Sequence, residues 1–62
     1  MRTFSCFTHD SRHQTPTLAF VFAADDAKAR ELARRELLDT PGGVEVEIVE
    51  DGRTLAVLRL NA

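Results

Sequence analysis

Cysteine, proline and glycine are scarce in this chain, with one, two and three copies among 62 residues. A single cysteine excludes an internal disulfide framework and a four-cysteine zinc site. No apolar run approaches the roughly 18 residues that a bilayer-spanning helix needs, so no membrane association is expected. Charge of one sign is missing too. Eight Lys and Arg against ten Asp and Glu leave a net charge of −2, which provides no global pull toward nucleic acid or an anionic membrane. The opening Met1-Arg2-Thr3-Phe4-Ser5-Cys6 has one basic residue and no long apolar stretch, so it does not read as a secretory signal, and the expected location is the reducing cytoplasm. There is no glycine-rich phosphate loop, because Gly42-Gly43 follows a predicted helix rather than preceding one. No serine is framed as a nucleophile elbow. No cofactor is implied. Neither an internal repeat nor a low-complexity stretch is present.

What remains is ordinary globular composition, 44% hydrophobic and 29% charged, sufficient for one domain over residues 1–62. The period of the hydrophobic pattern changes twice along it. Thr3 to Thr8, with Phe4, Cys6 and Phe7, predicts a short strand. His9 to Pro16 lacks aliphatic residues and predicts a loop. Thr17 to Ala23 alternates bulky Leu18, Phe20 and Phe22 with smaller Ala19, Val21 and Ala23, the period of a strand. Asp25 is placed as a helix N-cap, and Asp26 adds favourable charge at the positive end of the dipole. Ala27 to Leu38 is rich in helix formers, with Asp26/Arg30, Glu31/Arg35 and Arg35/Asp39 at i,i+4 spacing. Ala29, Leu32, Ala33 and Leu37 share one arc of about 140°. Pro41-Gly42-Gly43 stops the helix.

Val44-Glu45-Val46-Glu47-Ile48 alternates cleanly, and Asp51-Gly52 predicts a two-residue hairpin turn into a last strand over Thr54 to Leu60. With that loop, a regular ladder sets Ile48 opposite Leu55, Val46 opposite Val57 and Glu45 opposite Leu58. The expected fold is α+β. Two β-hairpins flank one helix (ββαββ), and a four-stranded, mainly antiparallel sheet carries the helix on one face, with strand order 2-1-3-4 preferred and a meander with strands two and three parallel as the alternative. The larger side chains, Leu18, Phe20, Phe22, Val44, Val46, Ile48, Leu55 and Val57, are expected under the helix. One helix covers only one face of such a sheet. The other face is then expected to show Ala19, Val21, Val49, Ala56, Leu58 and Leu60 beside Glu45 and Glu47. Of these, Val21, Val49, Ala56, Leu58 and Leu60 are the candidate interface of a self-associating chain, most simply a homodimer joined through that face or an edge strand.

Three clusters could carry chemistry. Cys6, His9 and His13, with Asp10 beside them, are zinc-ligating types at close spacing. However, strand parity separates Cys6 from His9 and no second ligand pair exists, so a buried thiol and two solvated histidines is the favoured reading. A Cys6 nucleophile lacks a framing cation or helix N-terminus, and no catalytic constellation is found. Lys28, Arg30, Arg34 and Arg35 line the helix and are candidate phosphate contacts, but Asp26, Glu31 and Asp39 interrupt them, which favours a solvated, ion-paired face over nucleic-acid binding. Glu36 breaks the apolar arc. It either snorkels from the rim or pairs with an arginine such as Arg59.

Asp25-Asp26-Ala27-Lys28-Ala29-Arg30, Val44-Glu45-Val46 and Asp51-Gly52-Arg53-Thr54-Leu55-Ala56 together give a layout that resembles short, uncharacterised bacterial ββαββ proteins of about this length. Seven Arg to one Lys with abundant Ala fit such a source. That group has no assigned activity, so the resemblance transfers no functional residue. The expectation is therefore a non-catalytic interaction module that self-associates and whose polar tip or second sheet face meets a protein partner or small ligand. The alternative is a nucleic-acid-binding or regulatory module acting through the arginine-bearing helix, with metal binding at Cys6, His9 and His13 as a minor third.

Overall fold

The computed structural model, which describes residues 1–60, contains strands β1 (Arg2–Asp10) and β2 (Thr17–Ala23), helix α1 (Asp26–Asp39), and strands β3 (Gly43–Glu50) and β4 (Arg53–Arg59). All pairings are antiparallel and the strand order is β2-β1-β3-β4. The architecture is thus the expected ββαββ sheet with a helix on one face. Among the described residues no helix is long and apolar enough to cross a membrane. The helix begins as the sequence dictates: the Asp25 carboxylate accepts from the Lys28 backbone N–H at 2.8 Å, and Asp25 itself is extended (φ −151°). At the far end Thr40 donates its backbone N–H to Leu37 O, and Gly42 takes φ +72°, a left-handed conformation that glycine adopts without steric cost.

Ala29, Ala33 and Leu37 of α1 lie against Phe4, Cys6 and buried Thr8 of β1, Val21 and Ala23 of β2, and Val46 and Ile48 of β3. Leu32, Leu55, Ala56 and Leu58 pack against this cluster from its margins. One end of the core is closed by Arg2. Its guanidinium donates to both Glu50 carboxylate oxygens at 2.8 and 2.6 Å and to Asp26 Oδ1 at 2.7 Å. It also sits 4.9 Å from the centroid of the Phe4 ring, a cation–π contact. Strand β1, the start of the helix and the end of β3 are thereby tied at one point.

Two strands present the opposite parity from that expected. Val21 and Ala23 are buried under the helix, whereas Leu18, Phe20 and Phe22 face away from it and are 49%, 59% and 61% exposed. The helix explains this, because its buried stripe above the sheet is largely alanine, Ala29 and Ala33. Small side chains on both layers let the backbones approach closely, and three bulky residues on β2 would hold the helix away. In β4 the cause is a bulge. Glu50 pairs with Arg53 and Val49 with Thr54, but the ladder then shifts so that Ile48 meets Ala56, Val46 meets Leu58 and Glu45 meets Arg59. The extra residue, Leu55, moves every later position by one. Ala56 and Leu58 therefore join the helix side, and Val57, expected in the core, is exposed. The Asp51-Gly52 turn itself forms as read, with φ of +52° and +78°.

Candidate interaction surface

The uncovered face of the sheet carries Leu18, Phe20 and Phe22 from β2, Thr3, Ser5, Phe7 and His9 from β1, Glu45, Glu47 and Val49 from β3, and Thr54, Val57 and Arg59 from β4, as the Cα partners dictate. It divides into two halves. On the β2–β1 side Phe20 lies across from Ser5, Phe22 across from Thr3 and Leu18 across from Phe7, an aromatic row broken only by hydroxyls. On the β3–β4 side the carboxylates are partnered, with Arg59 Nε donating to Glu45 Oε1 at 2.9 Å and the Thr54 hydroxyl donating to Glu47. Leu18, Phe20 and Phe22 together expose roughly 300 Å² of apolar surface, the size of the largest patch on a typical monomer.

Of the residues expected to form the interface, Val49 is on this face, half-buried beside Ser5. Val21, Ala56 and Leu58 are not, since they belong to the helix side. Leu60 donates its N–H to Val44 O at 3.0 Å and is partly exposed, in the parity of Leu58 rather than of Val57. The surface is made instead by Phe7, Leu18, Phe20, Phe22 and Val57. The alanines at positions 29 and 33 were the available sign of this, because a small-residue helix stripe calls for a small-residue strand beneath it.

Cys6, His9 and His13 do not converge. Cys6 is buried on the helix side, His9 lies on the open face and pairs in register with Glu45, and His13 is in the loop. Burial pushes the Cys6 thiol up, and the charge of Glu36 adds to this, so the thiolate nucleophile is disfavoured. Among the described residues no group of three or more His, Cys, Asp or Glu side chains is placed to hold a metal ion. Asp10 organises the hairpin tip. Its carboxylate accepts the Arg12 and His13 backbone N–H groups, both at 2.8 Å, and lies 3.1 Å from His13 Nδ1. The Arg12 N–H first, and then His13, hold its carboxyl below the usual range against a desolvation that works the other way.

Lys28, Arg30, Arg34 and Arg35 are exposed on the helix. Lys28 and Arg35 both approach Glu31, at 3.1 and 3.9 Å, while Asp26 turns to Arg2 rather than to Arg30. The whole sheet separates these cations from Phe7, Phe20 and Phe22, so no strand of nucleic acid lying on either face would meet both. Glu36 is half-buried on the helix, whereas Arg59 is engaged with Glu45 on the opposite face, so the two do not pair within the chain.

The chain matches no protein-family model, no curated protein and no solved structure. The likeness to short bacterial proteins therefore gains no relative to support it.

Proposed function

We propose that this chain is a small, non-catalytic interaction module that works as a self-associated unit, joined through the apolar part of its sheet, by the uncovered face or by an edge strand. One observation carries the reading: Leu18, Phe20 and Phe22 stand side by side on one strand, each about half or more exposed. A chain of 62 residues has few large apolar side chains to spend, and leaving three of them in water costs solubility without contributing to the core. The sites of conventional chemistry point the same way. The thiol is buried, the histidines lie apart, and the helix cations stand behind the sheet from the aromatic row. Sedimentation equilibrium over a broad concentration series tests the proposal. A mass rising above 6.9 kDa with concentration is expected, and a constant monomer mass up to the highest soluble concentration would overturn it.

A further inference from the structure

Building on that reading, we infer that the contact is edge to edge. Strand β2 of one copy pairs antiparallel with β2 of a second copy about a two-fold axis beside Phe20, giving one continuous sheet. The two free edges of the sheet, β2 and β4, differ in the features that decide whether an edge can pair. Strand β4 begins and ends with arginine and contains the Leu55 bulge. Pairing it with itself about its middle residue would set Arg53 opposite the partner's Arg59 twice over, like charges in direct opposition. A bulge also twists an edge out of line for a flat ladder. Strand β2, Thr17–Ala23, has no charged residue, no proline and no bulge in its register with β1. It has none of the devices that keep an edge from pairing.

Charge also decides between edge pairing and stacking of the two open faces. Stacking would bury Glu45 and Glu47 of both copies, and Glu47 has only the Thr54 hydroxyl to satisfy it, a costly desolvation of carboxylates. Edge pairing leaves β3 and β4 in water and brings only neutral residues together. A two-fold axis perpendicular to the sheet keeps both helices on the same side, so it places Leu18 opposite the partner's Phe22, and Phe20 opposite the partner's Phe20. The two aromatic rows then form a single cross-strand cluster of the kind that stabilises antiparallel pairs. Pairing β2 with β4 of the next copy would instead be head to tail and would not close. Seven residues of edge, with the two rows covering only the facing flanks of their roughly 300 Å² apiece, fall below the ~1,200 Å² of a standard stable interface, so the dimer is expected to dissociate on dilution.

Disulfide trapping under mild oxidation tests both axis and register, because directly opposed residues lie about 4.5–5.5 Å apart at Cα, within disulfide reach. The native thiol at Cys6 is buried and serves as the unreactive background. F20C is expected to gain a covalent dimer band. L18C alone and F22C alone are expected to show none, since each would sit four residues from its own counterpart, while an equimolar mixture of the two should give the band. Circular dichroism matching the parent chain confirms that each variant is folded. If the protein sediments above monomer mass but T54C or V57C traps a dimer and F20C does not, the edge-to-edge register is wrong while self-association stands. A monomer at all concentrations removes both.

Discussion

The parity of the two aromatic strands can be tested by truncating one phenylalanine from each. Phe4 is fully buried between β1 and the helix, and Phe20 is 59% exposed. Phe4→Ala deletes a core ring and is expected to cost about 3–5 kcal/mol. A domain of this size is worth only about 3–9 kcal/mol in total at ordinary stability per residue, so Phe4→Ala should lack a folded baseline in water. The milder Phe4→Leu keeps a measurable transition. For Phe20, the two-fifths that is buried amounts to about 80 Å² of apolar surface, or at most ~2 kcal/mol at about 25 cal/mol per Å². The methyl that alanine retains and the burial already present in the unfolded chain reduce the expected cost of Phe20→Ala to roughly 1 kcal/mol. Urea titration at low protein concentration, where any dimer is dissociated, reads both as midpoint shifts at a common slope. A Phe20→Ala variant that also lacks a folded baseline, or a Phe4→Ala variant that keeps one with a midpoint shift no larger than that of Phe20→Ala, would mean that the bulky residues of β2 face the helix and that the assignment of the open face is wrong.

Two further outcomes follow from the same structure. An ideal Cβ at Gly43 would lie 2.6 Å from the Leu37 carbonyl oxygen, a backbone atom with little room to move, whereas one at Gly52 meets nothing and pays only for φ +78°. Gly52→Ala is therefore expected to cost about 1–2 kcal/mol and Gly43→Ala more, and thermal unfolding in which Gly43→Ala is the milder change would contradict the close approach. The Arg2 hydrogen bonds hold the Glu50 carboxyl below its ordinary range despite an opposing desolvation. With the folded value lowered, the stabilisation is complete above the unfolded glutamate value of about 4.3 and is lost as the pH falls through the folded one. The midpoint gap in urea between the parent chain and Arg2→Met should accordingly narrow between about pH 6 and pH 2.5. A gap that does not change with pH would show that Arg2 acts through packing on Phe4 alone.

The elements and their order along the chain were legible because each rests on a local rule, whereas local rules leave the strand order between 2-1-3-4 and a meander, since it depends on the long-range pairing of β1 with β3. Asp25 caps, Pro41 and Gly42 stop the helix, Asp51-Gly52 turns, and Val44 to Ile48 alternates. Which side of a strand turns inward is a different kind of information. Alternation in Thr17–Ala23 shows that Phe20 and Phe22 share a face with Leu18, but the choice of face belongs to the helix that lands on the sheet. Here that helix brings alanines and accepts Val21 and Ala23. The β4 parity was illegible for another reason: a one-residue bulge at Leu55 has no fixed sequence mark, yet it inverts everything after it. On the candidate surface, the residue types were visible as a set and their sidedness was not. Phe7 and Phe4 show this most simply, since an odd spacing guarantees that one faces out without saying which.

The central position of β1 also shapes how the chain can fold. Strand β1 meets β2, its neighbour along the chain, across a short loop, but its second partner is β3, with Ser5 waiting for Val49. That pairing closes a long loop before it is rewarded, which is slow compared with either hairpin. Until it closes, a nascent chain holds a two-stranded ribbon, apolar on both sides and bare along both margins. The interval before the third strand arrives is when this small protein is most exposed to sticking to its neighbours.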